Sequence, residues 1–218
     1  MSDNETPLIL FGGTFNPPHM GHIHVAKAAI SLFSDAKLGI MPAYIPPHKE
    51  TLGISYAHRK QLVELAIANE PALYVESIEE SLAAPNYTVK TLQALRKQHP
   101  DRPICFLIGG DSLSSLDSWY HWQELLSLTH LVVYQRNGYQ TYSAEVEATL
   151  RRSLVESASA LTSRSSGFIY TIKQEMFDIS STELRAAFKQ ETCDNKKRLQ
   201  RWLSPQVLHY INDYRLYR

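Results

Sequence analysis

Short apolar runs alternate with segments of helical periodicity along most of the chain. The apolar runs that we predict as strands are residues 8–11, 37–41, 73–75, 104–108, 131–134 and 168–171. Between the first two runs, Ile23, Ala26, Ile30 and Phe33 recur three and four positions apart, and similar spacing precedes the third and fourth runs. This alternation predicts an α/β fold, a doubly wound and mainly parallel sheet with helices on both faces.

One internal stretch departs from this pattern. Residues 137–167 are polar and rich in Ser, and they carry a single weak helical repeat at Val146, Leu150 and Leu154. We interpret this stretch as a variable excursion from the fold.

The end of the chain predicts a closing helix. Ser204 followed by Pro205 is a typical helix start. The apolar stripe of this helix comprises Val207, Leu208, Ile211 and Tyr214. We therefore predict one domain over residues 1–218, with a small helical part at residues 175–218.

Composition narrows the class of protein. An apolar fraction of 44% in 218 residues supports a sizeable core without disulfides or metals. Lys and Arg together number 22, as do Asp and Glu, so we expect no nucleic-acid or membrane partner. Cys105 lies within an apolar run, which predicts a buried thiol, and the first residues lack a signal-peptide pattern. We expect a cytoplasmic protein.

The stretch from residue 12 to 22, GGTFNPPHMGH, follows the first strand and leads into the first helix. Gly12 and Gly13 allow a close approach of backbone to an anion, and the helix start offers N–H groups to phosphate. His19 and His22, three positions apart, share one face of the first helical turn. The stretch lacks the Gly-Lys-Ser/Thr ending of a Walker A loop. The alternative interpretation is a glycine turn with two incidental histidines.

A second candidate anion site begins at Ile179, in the sequence ISSTELR. Ser180 and Glu183 have the spacing of a capping box, which would leave hydroxyls, N–H groups and Arg185 near one helix end. Taken alone, the segment is better interpreted as an ordinary capped helix with a surface arginine.

Together the two segments resemble the T/HxGH and ISSTxxR signatures of the nucleotidyltransferase superfamily, which also includes class I aminoacyl-tRNA synthetases. Three further patches, at residues 46–49, at residues 84–88 and at residues 109–111 with the adjoining 118–122, resemble the nicotinate mononucleotide adenylyltransferase branch. The resemblance implies a Rossmann-like fold and transfer of the adenylyl group of ATP to nicotinate mononucleotide, with release of pyrophosphate, in NAD biosynthesis. It also implies that His22 and Arg185, at two separate helix starts, face one crevice.

The resemblance implies a role for specific residues at the ATP end. The expected ATP contacts are Gly12, Gly13, Thr14, Phe15, His19, His22, Gly109, Asp111, Arg136, Ile179, Ser180, Ser181 and Arg185. Among them, His19, His22 and Arg185 are the expected catalytic residues. Mg²⁺ is expected with ATP, and because the sequence shows no carboxylate cluster, we expect the ion to bind through the nucleotide.

The acceptor end is implied by the same three patches. The expected contacts to nicotinate mononucleotide are Asn16, His48, Lys49, Tyr87, Thr88, Asp111, Trp119 and Tyr120. Several of them have a simpler alternative: a solvated loop for His48, a turn and helix cap for Tyr87 and Thr88, an N-cap for Asp111, and core packing for Trp119 and Tyr120. Trp119 is assigned to the pyridine ring and Trp122 to packing.

Three alternatives remain open at this stage. Phosphopantetheine adenylyltransferase shares the first motif and the reaction, but its acceptor has no ring to explain the aromatic patch. Nicotinamide mononucleotide differs from nicotinate mononucleotide by one amide group. A non-catalytic nucleotide-sensing module is the alternative from another class. The sequence leaves the oligomeric state open, a homo-oligomer included.

Overall fold

The computed structural model describes residues 6–45, 53–135, 141–172, 177, 179–190 and 192–218. Within these residues, seven strands form one sheet in the order β3-β2-β1-β4-β5-β7-β6, and every neighbouring pair is parallel. The strands are β1 (Leu8–Gly13), β2 (Leu38–Pro42), β3 (Leu73–Val75), β4 (Ile104–Gly109), β5 (His130–Tyr134), β6 (Leu154–Val155) and β7 (Ile169–Ile172).

Helices connect the strands and extend beyond the last one. They are α1 (Met20–Ile30), α2 (Tyr56–Ile67), α3 (Thr88–Gln98), α4 (Gly110–Ser114), α5 (Leu125–Leu128), α6 (Ala144–Ser153), α7 (Ser181–Phe188), α8 (Cys193–Trp202) and α9 (Pro205–Asp213). Single 3₁₀ turns occur at Ile78–Ser81, Leu116–Ser118, Trp122–Glu124 and Ala158–Thr162. None of the helices described has the length and apolar composition needed to cross a bilayer.

The sheet is buried on both faces because alternate residues of each strand point to opposite sides. In β1, Ile9 and Phe11 pack with α1 and α2, whereas Leu8 and Leu10 pack with α3 on the other face. Continuous apolar strands with helices on both sides are the predicted doubly wound architecture, which is therefore confirmed.

The C-terminal helices form a third apolar cluster against α2. Leu62 of α2 packs with Ile179, Leu184 and residues of α8 and α9, while Val63, the next residue, packs toward the sheet. The two sides of α2 thus join the sheet to α7–α9. Ser204 caps α9 by accepting a hydrogen bond from the Val207 N–H (3.3 Å), as its sequence predicts.

The six predicted strands are confirmed to within one or two residues, but the excursion at residues 137–167 contains more structure than expected. It contributes α6 and β6, and β6 pairs with β7 at the sheet edge. Leu154 belongs to this strand rather than to the helix, and it is 53% exposed. Tyr214, predicted in the apolar stripe of the closing helix, lies just beyond α9 and is 57% exposed.

The two cysteines have opposite environments. Cys105 is buried in β4, and burial raises the pKa of its thiol to about 12. Cys193 is exposed at the first residue of α8. The expectation of a buried thiol at Cys105 is confirmed.

Arg96, near the end of α3, connects several turns at the amino-terminal edge of the sheet. Its guanidinium group donates to the main-chain oxygens of Leu128 (2.7 and 3.1 Å), Ser165 (2.7 Å), Arg102 (2.8 Å) and His99 (2.8 Å). The planar guanidinium group of Arg96, with its five N–H donors, therefore satisfies carbonyl groups from several loops. These carbonyl groups cannot satisfy one another, because each is only an acceptor.

We predict that Arg96→Met lowers the free energy of unfolding by about 2–4 kcal/mol, because several carbonyl groups lose a charged donor. Urea denaturation measures the change. Arg151→Met is the matched control, since Arg151 is 80% exposed and pairs only with Glu147 on the surface of α6; its effect is expected within about 0.5 kcal/mol. Equal effects of the two substitutions would contradict the role given to Arg96.

Candidate active site

The loop after β1 lies where the strand order of the sheet reverses, between β1 and β4. Ligands of doubly wound folds bind at this position, beyond the carboxyl ends of the strands. Phe15 in this loop adopts a left-handed φ of 48°, and its ring is buried. A bulky residue keeps such a conformation only when the surrounding structure enforces it, so the loop has a defined shape.

His19 and His22 open α1 as a closely packed pair. His19 is the N-cap residue, and its main-chain N–H donates to Nδ1 of His22 at 3.2 Å. The two imidazole centroids are 3.7 Å apart with the rings tilted by 34°, and Phe15 packs edge to face with His22 at a centroid distance of 5.0 Å. The predicted shared face of the first turn is confirmed. His19 is buried, whereas His22 is partly exposed.

The second motif forms the start of α7 and docks on the loop after β1. Ser180 and Glu183 form the predicted capping box, with Ser180 Oγ accepting from the Glu183 N–H at 3.2 Å. Ser181 Oγ donates to the carbonyl oxygen of Pro17 at 2.9 Å. Arg185 Nη1 donates to the carbonyl oxygen of Asn16 at 2.7 Å. Two side chains of the second motif thus bind main-chain oxygens of the first.

Arg185 keeps donor capacity beyond these contacts. Its Nη2 atom bonds Thr182 Oγ1 at 2.9 Å, so its two side-chain bonds use only part of the five N–H donors of a guanidinium group. The side chain is partly exposed. Arg185 is therefore held in place and still available to a ligand.

The two motifs line one cavity of about 350 Å³, within the range of small-molecule sites. Its walls are Phe11, Gly12, Gly13, Thr14, Phe15, Asn16, His22, Ile108, Gly109, Asp111, Ser112, Trp119, Tyr134, Ser181, Thr182 and Arg185. We call this space the motif crevice. The prediction that His22 and Arg185 face one crevice is confirmed. Cavities of about 370 and 500 Å³ elsewhere in the described residues contain neither histidine of the first motif.

Other predicted site residues lie beside the crevice or outside the described residues. His19 and Ile179 line a small adjoining space that His22 also borders. Ser180 engages Glu183 as a cap, and Tyr87, Thr88 and Tyr120 are not among the walls of the crevice. The residues that fall outside the described part of the chain are His48, Lys49 and Arg136.

Asp111 stands at the mouth of the crevice, in the first turn of α4. The helix is capped by Gly109, so the alternative that Asp111 is the N-cap is wrong. A Cβ atom on Gly109 would collide with the Asp111 carboxylate. The glycine therefore allows this exposed acid to fold back over the end of β4, where it lines the cavity.

Aromatic rings border the crevice on the side of α3. Trp119 is half-buried, packs on the core and lines the crevice. The next residue, Tyr120, stacks on Tyr87 with ring centroids 4.4 Å apart and is 46% exposed. Trp122 packs against the core, as expected. Trp119 therefore offers an aromatic surface to a flat ligand group on this side of the crevice, and Phe11, Phe15 and Tyr134 are further aromatic residues of the described wall.

Arg59 and Glu79 form a buried network that the sequence interpretation missed. Arg59 of α2 is 1% exposed and donates to the carbonyl oxygens of Thr14 (3.1 Å) and Ala43 (2.6 Å). Glu79 accepts from the Tyr44 N–H at 2.9 Å, and burial raises the pKa of its carboxyl group. The network ties the loop after β1 to the loop after β2.

Histidines without an assigned role lie elsewhere. His130 is fully buried, accepting from the Phe168 N–H at Nδ1 (3.0 Å) with Nε2 bonded to the Arg164 carbonyl (2.9 Å). Burial lowers the pKa of His130, so its imidazole is neutral and structural. His121 and His209 lie on the surface, where a ring nitrogen of each contacts an acidic neighbour, Glu124 (2.7 Å) and Asp213 (3.2 Å) respectively.

Comparisons with known proteins agree on one family. The cytidylyltransferase-like family model matches residues 10–187. A probable nicotinate-nucleotide adenylyltransferase of Aeromonas salmonicida (strain A449) is 41% identical over 182 residues, which cover 83% of this chain and 85% of the relative. The nicotinate-nucleotide adenylyltransferase of Salmonella typhimurium is 37% identical over 213 residues, covering 96% of this chain and 97% of the relative.

A solved structure shows the same fold at low sequence identity. It is the Plasmodium falciparum nicotinic acid mononucleotide adenylyltransferase complexed with NaAD, with a TM-score of 0.75 and 17% identity over 97% of both chains. At this identity the similarity concerns the fold alone.

Gly21 belongs to the first motif, but its place in the sequence did not indicate a role for it. A Cβ atom at this position would lie 2.8 Å from Cγ2 of Ile179 and 3.0 Å from Nδ1 of His19. Because real Cβ contacts are longer, only glycine lets the start of α1 pack this closely on the second motif.

We predict that Gly21→Ala costs about 1–3 kcal/mol of stability through overpacking. Because the clash involves Ile179, the double variant Gly21→Ala/Ile179→Ala should lose less than the sum of the single variants in urea denaturation. A pairing of Gly21→Ala with Leu113→Ala, from the cluster on the other face of the sheet, is the control and should be additive. Additivity in both pairs would refute the contact.

Proposed function

The chain belongs to the nicotinate-nucleotide adenylyltransferase family, and on that basis we propose that it joins the adenylyl group of ATP to nicotinate mononucleotide. The products are nicotinate adenine dinucleotide and pyrophosphate, in NAD biosynthesis. The observation that carries the proposal is the motif crevice, where His22 and Arg185 from two helix starts line one cavity. Although the chain has no net charge, two helix starts and their side chains provide local positive charge where a triphosphate would bind.

The reaction requires positioning and charge rather than a general base. The attacking group is the acceptor phosphate, which is already an anion at neutral pH. The protein must hold two mutually repelling phosphates in line and stabilise the negative charge that develops on the attacked phosphorus and the leaving pyrophosphate. Imidazole and guanidinium donors perform both tasks, because fixed N–H groups orient the phosphate oxygens and bind them more strongly as negative charge develops on them.

Specific groups take the donor phosphates in this proposal. His22 and His19 contact ATP from the α1 side, together with the loop of Gly12, Gly13, Thr14 and Phe15. Ser180, Ser181 and Arg185 hold the β and γ phosphates at the α7 side. The docking of Ser181 and Arg185 on the loop carbonyls supports this arrangement, because it brings both motifs to one crevice.

The adenosine and the metal ion complete the donor end. Gly109 and Asp111 accept the ribose hydroxyls, and Arg136 contacts the adenosine side. Asp111 is the carboxylate among the described walls of the crevice, and no trio of His, Cys, Asp or Glu in the described residues could hold a metal. Mg²⁺ prefers phosphate and water oxygens with one or two carboxylates, so we propose that it binds through ATP and offsets phosphate charge.

The acceptor occupies the aromatic side of the crevice. Trp119 stacks on the pyridine ring, with Tyr120 and Tyr87 beside it, and helix-start N–H groups at Thr88 receive the carboxylate. Asn16 borders the acceptor ribose, and His48 with Lys49 binds the acceptor phosphate. The stacked Tyr87–Tyr120 pair supports this assignment, since it extends the aromatic surface next to Trp119.

The proposal also covers the cellular location of the enzyme and its partners. We propose a cytoplasmic enzyme whose partners are nucleotides, without a nucleic-acid or membrane partner, because the chain has equal numbers of basic and acidic residues.

Pyrophosphate release with three acceptors tests the function. Purified protein is given ATP and Mg²⁺ with nicotinate mononucleotide, nicotinamide mononucleotide or phosphopantetheine, each over a range of concentrations. We expect the highest kcat/KM with nicotinate mononucleotide, because a carboxylate accepts helix-start N–H bonds that an amide satisfies less well. A preference for either other acceptor overturns the substrate assignment, and no release with any of them overturns adenylyl transfer.

His22→Ala extends the same assay to the crevice. We expect kcat to fall by on the order of 10²-fold or more while the thermal unfolding transition is retained. His24→Ala is the matched control: it removes an imidazole from the same helix, but His24 does not line the motif crevice. Near-normal kinetics of His22→Ala, or an equal loss in His24→Ala, would contradict the proposed role.

A further inference from the structure

The last residues of the chain return to the loop after β1. Leu216 and Tyr217 are 7% and 8% exposed, although they lie beyond the end of α9. Tyr217 has a left-handed φ of 68°, a conformation that is unfavourable for a non-glycine residue. A tyrosine keeps this conformation only if its contacts offset the strain.

Tyr217 makes such contacts with the first motif and with α7, the helix that begins in the second motif. Its hydroxyl group donates to Oδ1 of Asn16 at 2.7 Å, in a buried bond between residues 201 positions apart. Its ring packs on Phe188 of α7, with centroids 5.7 Å apart. Burial raises the pKa of the Tyr217 hydroxyl above its usual range, so the group is a donor throughout the neutral pH range.

Asn16 connects Tyr217 to Arg185 through two different oxygen atoms. The side-chain oxygen of Asn16 accepts from Tyr217, and its main-chain oxygen accepts from Arg185 Nη1 at 2.7 Å. Both Asn16 and Arg185 line the motif crevice, whereas Tyr217 does not. The orientation of one residue therefore couples the C-terminal tyrosine to a guanidinium group at the crevice.

We propose that Tyr217 is a positioning residue for adenylyl transfer, which fixes Asn16 and, through it, the direction of Arg185 across the motif crevice. The inference rests on the function proposed above. It goes beyond the two sequence motifs, because it assigns a role in the reaction to the C-terminal end of the chain.

The closest alternative is a purely structural tyrosine, and geometry separates the two. A tyrosine that only fills space contributes its ring, which Phe keeps. The hydroxyl group of Tyr217, in contrast, donates a hydrogen bond to Asn16, which is itself part of the crevice wall. Removing the oxygen alone therefore removes the coupling and leaves the packing on Phe188.

Tyr217→Phe is the first test. We expect kcat with ATP and nicotinate mononucleotide to fall about 10-fold while KM for ATP stays within about two-fold, because a misdirected Arg185 weakens the transition state more than the ground state. Tyr210→Phe is the matched control: it deletes a hydroxyl bonded to His58 (3.0 Å) in the same C-terminal helical part, away from the crevice. Its kinetics should remain near wild type.

A double-mutant cycle with Arg185→Lys is the second test. If Tyr217 acts through Arg185, then Tyr217→Phe should lower kcat much less in the Arg185→Lys background than in the wild type. A purely structural role gives the same fold-loss in both backgrounds. Thermal unfolding of every variant establishes that the kinetics are compared between folded proteins.

The outcomes separate this inference from the proposed function. A wild-type protein that releases no pyrophosphate refutes the function. An active wild type with Tyr217→Phe indistinguishable from Tyr210→Phe, or with equal losses in the two backgrounds, refutes the positioning role and leaves the function intact.

Discussion

The docking of the α7 start on the loop after β1 is the interaction on which the site depends. Ser181 and Arg185 donate to the carbonyl oxygens of Pro17 and Asn16, which are 164 and 169 positions away in the chain. These bonds join the sheet to the C-terminal helices, and they satisfy loop carbonyls that no strand or helix could satisfy. Apolar packing on α2 brings the two parts of the fold together, and these bonds fix how the second motif faces the first.

The same docking explains why the neighbouring residues are so restricted. Gly21 leaves room for Ile179, Phe15 closes the loop with a left-handed φ, and Arg59 holds the Thr14 carbonyl from within the core. Every one of these groups supports the shape of the loop from a different direction. The crevice is thus preorganised: its donors are oriented by contacts already present in the protein, which is the condition for strong electrostatic stabilisation of a transition state.

The sequence predicted what depends on local pattern. Apolar runs located six strands, and the helix starts at His19 and Ser180 could be identified from glycines, histidines and capping spacing. β6 was not predicted, because two residues, Leu154 and Val155, are too few to show a periodicity. Their strand is defined by its pairing with β7. Tyr214 matched the spacing of the α9 stripe, but the helix ends before it and its side chain faces solvent.

Arg59 and Tyr217, which support the site from outside the two motifs, were not predicted for a different reason. Their contacts join residues that are far apart in the sequence. Arg59 carried one usable signal, a charged residue three and four positions before the buried Leu62 and Val63, which places it on the buried face of α2. Tyr217 carried none, because its partner Asn16 lies at the other end of the chain. Tertiary contacts of this kind follow from the fold and cannot be read from spacing. The roles given to individual site residues remain proposals, His48, Lys49 and Arg136 among them.

A crystal structure with a non-hydrolysable ATP analogue tests the central claim most directly. The account predicts the triphosphate inside the motif crevice, with phosphate oxygens within roughly 2.7–3.2 Å of side-chain nitrogens of both His22 and Arg185. A triphosphate bound by only one of these two groups, or bound in the cavity lined by Lys196 and Arg218, would contradict it.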